Sequence, residues 1–154
     1  MNIRSLTSSC LAACLLVMTF ASATFAQDQR VVERISSAQM KSLVEMEGFP
    51  NVEIDGDDDL IVRMQGYRII IFVRGNNYQQ IKYRFAVGGT KFTLRDVNEW
   101  NRSMTFSKAY LDNDGDPVLE MDVDLEGGVT LARIKDSIRT FNTSLAAFLR
   151  EVAL

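Results

Sequence analysis

Acidic residues form the most prominent groups in this sequence that could do chemistry. The run Asp112–Asp116 (DNDGD) has the alternating acids of a calcium-binding loop. An EF-hand loop needs glycine at its sixth position and glutamate at its twelfth, where this chain has Pro117 and Val123. The run Asp55–Asp59 fails the same test, because Leu60 stands where glycine is required. We therefore interpret both runs as turns, with weak calcium binding as the alternative.

A row of carboxylates, Glu120, Asp122 and Asp124, alternates with apolar residues along a later stretch. Alternate residues of a strand lie about 6.6 Å apart on one face, a separation that suits the acid pair of a glycosidase. A catalytic pair needs one carboxyl group with a raised pKa in a pocket, and nothing in the sequence indicates burial. We expect the row to lie on a solvated face. We also predict a cross-strand charge ladder that joins Lys82 and Arg84 to Glu120 and Asp122.

The amino-acid types exclude most other catalytic classes. The chain has no histidine, and its two cysteines are Cys10 and Cys14. A serine nucleophile therefore lacks a histidine partner, and no G-x-S-x-G context is present. The glycine pairs at 88–89 and 127–128 match neither a dinucleotide nor a phosphate-loop fingerprint. We expect no catalytic residue, no metal and no cofactor; an enzyme that uses only carboxylate, lysine, tyrosine or serine side chains is the remaining alternative.

The N-terminus has the pattern of a secretory signal peptide. Arg4 supplies the positive charge, Cys10–Phe20 is apolar, and small residues precede an abruptly polar stretch. We expect cleavage after Ala26, with cleavage after Ala23 as the alternative, and hence a periplasmic protein. Lipidation of Cys14 is a further alternative, although the apolar run continues past this cysteine. No later segment approaches the roughly 20 apolar residues of a membrane span.

The length and charge of the chain indicate one domain that does not bind nucleic acid. We divide the sequence into a signal peptide (1–26), a flexible segment (27–35) and one domain (36–154). The net charge of −3 is mildly acidic, whereas binding to a phosphate backbone needs clustered positive charge.

Helix and strand patterns follow one another in blocks along this domain. Helices are predicted at Ser36–Glu47, from Thr93 to about Ser103 and at Leu131–Val152, from capping residues and apolar spacing. Strands are predicted at Val52–Ile54, Leu60–Met64, Tyr67–Val73, around 81–87, at Thr105–Leu111 and at Val118–Leu125. The order α-β-β-β-β-α-β-β-α predicts the α+β class, with an antiparallel sheet of five to six strands packed by helices. We expect the second helix to direct Leu94, Val97 and Trp100 inward.

Three short motifs resemble those of the YbjN family. They are N-x-W-N at residues 98–101, KAYLD at 108–112 and GGV at 127–129, and the resemblance extends over roughly residues 36–150. It implies a fold similar to that of type III secretion chaperones and a role in the regulation of bacterial sensory transduction. It implies no catalytic residues. The commonest form of the family is cytoplasmic, so the export signal distinguishes this chain.

Asn98 and Asn101 are three residues apart on the second helix, so both can face one side of it beside Trp100. One interpretation is a partner-binding patch formed by these three residues. In the other, Trp100 anchors the helix to the sheet and the asparagines hydrogen-bond the loop that follows. We expect an exported, non-enzymatic module that binds a protein or peptide, with homodimerisation implied by the chaperone-like relatives. A module that binds a small molecule or an ion is the alternative.

Overall fold

The computed structural model describes residues 28–75 and 77–152, which contain three helices and eight strands. The helices are α1 (Ser37–Met46), α2 (Leu94–Ser103) and α3 (Leu131–Glu151). The strands are β1 (Val31–Val32), β2 (Glu53–Ile54), β3 (Leu60–Met64), β4 (Tyr67–Arg74), β5 (Gln80–Ala86), β6 (Lys108–Leu111), β7 (Pro117–Asp124) and β8 (Val129–Thr130). The predicted signal peptide, its cleavage sites and Cys14 lie outside the described residues.

Six strands form one antiparallel sheet in the order β2-β3-β4-β5-β7-β6. This arrangement confirms the predicted α+β class and the predicted antiparallel sheet. The strand β4 lies in the middle of the sheet next to β5. Its almost continuously apolar sequence is typical of a central strand. The register pairs Ile70 with Arg84, and Arg84 with Glu120. Residues in the same row therefore come from strands that are distant in sequence.

The N-terminal segment contains a strand that the sequence does not predict. Val31–Val32 pairs with Val129–Thr130 in a separate two-stranded ladder that leads into α3. Gly128 is needed beside it, because its φ is 92° and a Cβ there would lie 2.7 Å from Val31 Cγ1. The structure thus has regular pairing where we expected a flexible segment over 27–35. Val31–Val32 lies between the charged residues Arg30 and Glu33 with no turn signal beside it, so the sequence there has no strand pattern.

Capping residues place the starts of α1 and α2 where the sequence predicts them. The Ser36 hydroxyl accepts a hydrogen bond from Gln39 N at 3.2 Å, and the Gln39 side chain accepts one from Ser36 N at 3.0 Å. Thr93 and Asp96 form the same box at α2, where Thr93 N donates to Asp96 Oδ2 at 2.9 Å. These pairs satisfy amides that a helix start leaves without a partner.

The inward position expected for Leu94 is wrong. Trp100 is 4 % exposed, whereas Leu94 is 72 % exposed. A helix turns by about 100° per residue, so each step of three residues moves a side chain about 60° away from the face of Trp100. Two such steps bring Leu94 to the solvent side of α2, and Val97 lies between them, half-buried.

The helices pack on one face of the sheet. Phe141 of α3 stacks on Tyr83 with ring centroids 5.1 Å apart, and Phe148 of α3 contacts Phe85 and Trp100 edge-to-face. Tyr83 and Phe85 point to the same side of β5, since side chains two residues apart share a face. Lys82 and Arg84 must therefore point to the opposite side, away from α3.

One polar contact crosses the core and holds α3 in place on the sheet. The Tyr83 hydroxyl and Ser137 Oγ are 2.8 Å apart, and Ser137 Oγ donates to Ile134 O at 2.6 Å. Burial raises the pKa of Tyr83 well above its ordinary value, so the phenol keeps its proton and can donate to Ser137. The hydroxyl groups of Tyr83 and Ser137 thereby both have partners, as buried polar groups require.

Candidate binding surface

The face of the six-stranded sheet opposite the helices, called the outer face below, divides into two halves. Strands β5, β7 and β6 form a charged half that contains Lys82, Arg84, Lys108, Tyr110, Glu120 and Asp122. Strands β3 and β4 form the arginine half, with Arg63, Arg68 and Arg74 around Ile61, Ile70 and Phe72. These three apolar residues are half-buried and lie outside the hydrophobic core cluster. An apolar centre rimmed by charges is typical of an interaction surface.

Glu120 lies at the centre of the charged half. Tyr110 donates its hydroxyl proton to Glu120 Oε1 at 2.8 Å. The cationic nitrogens of Lys82, Arg84 and Lys108 lie 3.6, 3.4 and 3.3 Å from the Glu120 carboxylate oxygens. The register pairs Arg84 with Glu120 and Lys82 with Asp122, which confirms the predicted cross-strand ladder.

The solvated position expected for Glu120 is wrong, because this residue is only 4 % exposed. Lys82 and Arg84 approach it from β5, and Lys108 and Tyr110 approach it from β6. The aliphatic stems of such side chains cover a neighbour while their charged ends stay near water. Asp122 and Asp124 are exposed, in agreement with the expected solvated face.

The contacts of Glu120 hold the carboxyl group in its charged form. Burial raises the pKa of Glu120, but the hydrogen bonds from Tyr110 and Lys108 and the charges of Lys82 and Lys108 outweigh burial, so the pKa lies below its ordinary value of 4.5. Burial and the hydrogen bond to Glu120 raise the pKa of Tyr110. A general acid must carry a proton to donate, and a general base must lack one. At neutral pH Glu120 has the form of a base and Tyr110 that of an acid, but each is the other's hydrogen-bond partner and Glu120 is buried among three cations, so this cluster suits sheet stabilisation.

The arginine half has a different arrangement. Arg63 and Arg68 are direct partners across β3 and β4. Arg63 Nη1 donates to Gly66 O at 3.2 Å. Over residues 28–75 and 77–152, no carboxylate oxygen lies within 4.0 Å of either guanidinium group. A groove of about 690 Å³ opens beside the two arginines, lined also by Pro50, Asn51 and Glu53.

The structure places the three predicted partner-binding residues in different surroundings. Trp100 is buried and contacts Phe148. Asn101 Nδ2 donates to Ala109 O at 2.9 Å, and Ala109 N donates to Asn101 Oδ1 at 2.8 Å. The Asn101 amide thus takes the place of a neighbouring strand at the edge of β6. Asn98 is exposed on α2. Partner binding by these residues stays a prediction.

The two acidic runs form the predicted turns. In each, the carboxylate of the first aspartate, Asp55 or Asp112, accepts hydrogen bonds of 3.0 Å from the amides two and four residues later. Such turns use the short aspartate side chain to hold the backbone. Among the described residues, no group of three or more potential metal ligands comes together.

A family model matches most of the chain. The YbjN model, described as "Putative bacterial sensory transduction regulator", matches residues 36–154. The chain belongs to the YbjN family. A comparison with curated proteins gives no match. YbjN membership confirms the resemblance found in the three sequence motifs and indicates a regulatory binding module. In the described part of this YbjN protein, no helix is both long and apolar enough to cross a membrane.

Proposed function

We propose that this YbjN protein is an exported, non-enzymatic module that binds a protein or peptide in the periplasm through the outer face of its sheet. The observation that carries the proposal is the apolar centre of the arginine half, formed by Ile61, Ile70 and Phe72. The described helices pack on the opposite face of the sheet. A partner that covered this centre would remove apolar surface from water.

The apolar centre is continuous across two strands. Ile61 of β3 and Ile70 of β4 are direct partners in the register, and Phe72 follows on the same side of β4. The Arg74 guanidinium lies 5.0 Å above the centroid of the Phe72 ring and forms part of the rim. The solvated face of an antiparallel sheet normally carries polar residues, so three neighbouring apolar side chains support a docking role.

Two further observations support the exported and non-enzymatic parts of the proposal. The N-terminal sequence has the charge, apolar run and small residues of a cleavable signal peptide. In the charged half, the Glu120 carboxylate is buried and is already occupied by the Tyr110 hydroxyl and three cations, so it is not open to a substrate. The family description supports a regulatory role.

The test expresses the full chain with a C-terminal tag in its own host and recovers it from the periplasmic fraction. Mass spectrometry would determine the N-terminal residue and identify the co-purified proteins. We expect a mature N-terminus at Gln27 and one specifically retained partner. Ile70→Lys should lower retention of that partner at least tenfold. Leu94→Lys is the matched control, since it changes an exposed apolar residue on α2.

Equal retention by the wild type and Ile70→Lys would contradict docking on the outer face. An uncleaved protein in the cytoplasmic fraction would contradict export. If the retained partner is a second copy, light scattering will show a dimer that Ile70→Lys dissociates.

A small anionic ligand is the second candidate, favoured by the groove beside Arg63 and Arg68. A thermal-shift panel of dicarboxylates and phosphorylated metabolites tests it. A saturable shift that disappears in Arg68→Gln would support this candidate, and a panel without any shift would contradict it.

A further inference from the structure

We infer that Arg63 and Arg68 form an oxyanion site that recognises an acidic, partly apolar segment of the bound protein or peptide, an assignment that rests on the proposed function. The partner chemistry follows from charge complementarity: the site offers two guanidinium groups on a face that also offers apolar side chains.

Arg63 and Arg68 differ from the other cations of the outer face. Each of the others contacts a carboxylate: Arg74 contacts Asp59, and Lys82, Arg84 and Lys108 contact Glu120. For Arg63 and Arg68, no carboxylate oxygen within the described ranges lies closer than 4.0 Å. The protein as a whole has more acidic than basic residues, with a net charge of −3. An excess of basic residues therefore does not explain why two adjacent arginines lack a carboxylate partner.

The fold forces the two arginines together. The Gln65–Gly66 turn has φ values of 52° and 84°, the positive values of a two-residue hairpin turn. This turn sets the register of β3 and β4, and the register places Arg63 directly opposite Arg68. Like charges in direct opposition destabilise a sheet. An oxyanion bound between them would remove that repulsion.

The shape of the sheet edge opens the groove beside this pair. β2 pairs only with Leu60 and Ile61, so the rest of β3, Val62–Met64, has a neighbouring strand on one side alone. Before β2, Asn51 adopts a φ of 62°, and Pro50 and Asn51 line the groove together with the arginines. The volume of about 690 Å³ lies within the range of natural ligand pockets.

The lining of the groove selects the chemistry of its occupant. A guanidinium group donates two parallel hydrogen bonds to a carboxylate, and two such groups bind one oxyanion strongly. Ile61 lies in the groove and is the register partner of Ile70, so the groove continues into the apolar centre. A partner carboxylate at Arg63 and Arg68 would thus place adjacent apolar side chains on Ile61 and Ile70. Glu53 also lines the groove and is the register partner of Ile61, so it repels a carboxylate placed on the Ile61 side of the groove, away from the arginines.

The test measures fluorescence anisotropy with two fluorescein-labelled peptides of equal length, one alternating glutamate and leucine and the other alternating glutamine and leucine. The protein is the exported form, purified from the periplasmic fraction. We expect the wild type to bind the glutamate peptide at least tenfold more tightly. The double variant Arg63→Gln/Arg68→Gln should lose this preference. The control Lys91→Gln/Arg95→Gln removes the same charge at two other exposed positions and should keep it.

Absence of a preference in the wild type, or an equal preference in the double arginine variant, would overturn the inference. Calorimetric binding of inorganic phosphate without any binding of the glutamate peptide would also overturn it, since it would assign the site to a free anion. In the pull-down, loss of the partner in Ile70→Lys with full retention in the arginine variant would overturn this inference alone. Full retention in both variants would overturn the proposed function as well.

Discussion

Both halves of the outer face carry clustered cations, but the cations are arranged in opposite ways. In the charged half, Lys82, Arg84 and Lys108 surround Glu120, because β7 brings a carboxylate between two strands that bring cations. In the arginine half, the register sets Arg63 against Arg68. Charges that are neutralised within the fold contribute to stability, whereas charges without a partner are free to bind another molecule. The comparison assigns sheet stabilisation to one half and recognition to the other.

Removal of the central carboxylate should have the largest effect on stability. Glu120→Gln keeps the shape of the side chain but leaves three cations near a neutral amide. Hydrogen bonds to charged groups contribute about 1.5–3 kcal/mol, and the cations can turn toward water, so we expect a loss of about 2 kcal/mol in the free energy of unfolding. Urea denaturation at pH 7 measures this loss.

Asp124→Asn is the matched control for Glu120→Gln, since it removes the same charge from an exposed position of β7. Its effect should stay within about 0.5 kcal/mol. Equal effects of the two variants would show that the charged half does not stabilise the sheet through Glu120.

The two asparagines of α2 should also differ in their contribution to stability, because Asn101 hydrogen-bonds Ala109 and Asn98 is exposed. Asn101→Ala removes both hydrogen bonds to Ala109 and should cost about 1–2 kcal/mol. It also leaves the edge of β6 open to pairing with another chain, so we expect concentration-dependent association in light scattering. Asn98→Ala, at an exposed position of the same helix, should change stability by less than about 0.5 kcal/mol. A monomeric Asn101→Ala variant of wild-type stability would contradict edge closure.

The contribution of Glu120 to the free energy of unfolding should decrease as the pH falls. The folded pKa of Glu120 is lowered, so its stabilising effect is complete above the ordinary value of 4.5 and is lost as pH falls through the folded value. The difference in melting temperature between the wild type and Glu120→Gln should therefore be constant near neutral pH and narrow below about pH 4.5. Thermal unfolding followed by circular dichroism from pH 7 to pH 3 checks this. A constant difference down to pH 3 would contradict the lowered pKa.

The smallest change in the free energy of unfolding should be a gain, and it should come from a substitution in the arginine half. Arg68→Glu replaces a like-charge pair with an opposite-charge pair, and cross-strand pairs contribute about 0.2–1 kcal/mol. We expect a gain of up to about 0.5 kcal/mol in urea denaturation at low salt, reduced at high salt. The same variant should lose its preference for the glutamate peptide. A large loss of stability would show that Arg68 has a structural role.

Local signals in the sequence predict much of the fold. The capping boxes at Ser36 and Thr93 mark helix starts because they depend on residues only three apart. The Gln65–Gly66 turn and the alternation of its flanking strands predict the β3–β4 hairpin, whose first strand has the predicted bounds. The strands β1 and β8 escape prediction, since each has two residues and pairs with a segment far away in the sequence.

The candidate site is predicted less well, because it depends on how distant strands meet. Alternation along β5 and β7 indicates the charge ladder, but the burial of Glu120 also needs Lys108 and Tyr110 from β6. The groove beside Arg63 and Arg68 forms where β2 ends. The sequence does not show where a strand of two residues ends, so it does not predict the groove. The pairing of Asn101 with Ala109 likewise requires knowledge that β6 lies at an edge.

The sequence by itself determined which side chains share a side of each strand, because that alternation is a local property of the extended backbone. It determined in this way that Lys82 and Arg84 oppose the apolar residues of β5. Only the tertiary structure decided that Lys108 and Tyr110 join the predicted ladder around Glu120, because the order of strands depends on packing and hydrogen bonds between segments far apart in the chain. That order surrounds Glu120 with cations and leaves Arg63 and Arg68 without a carboxylate.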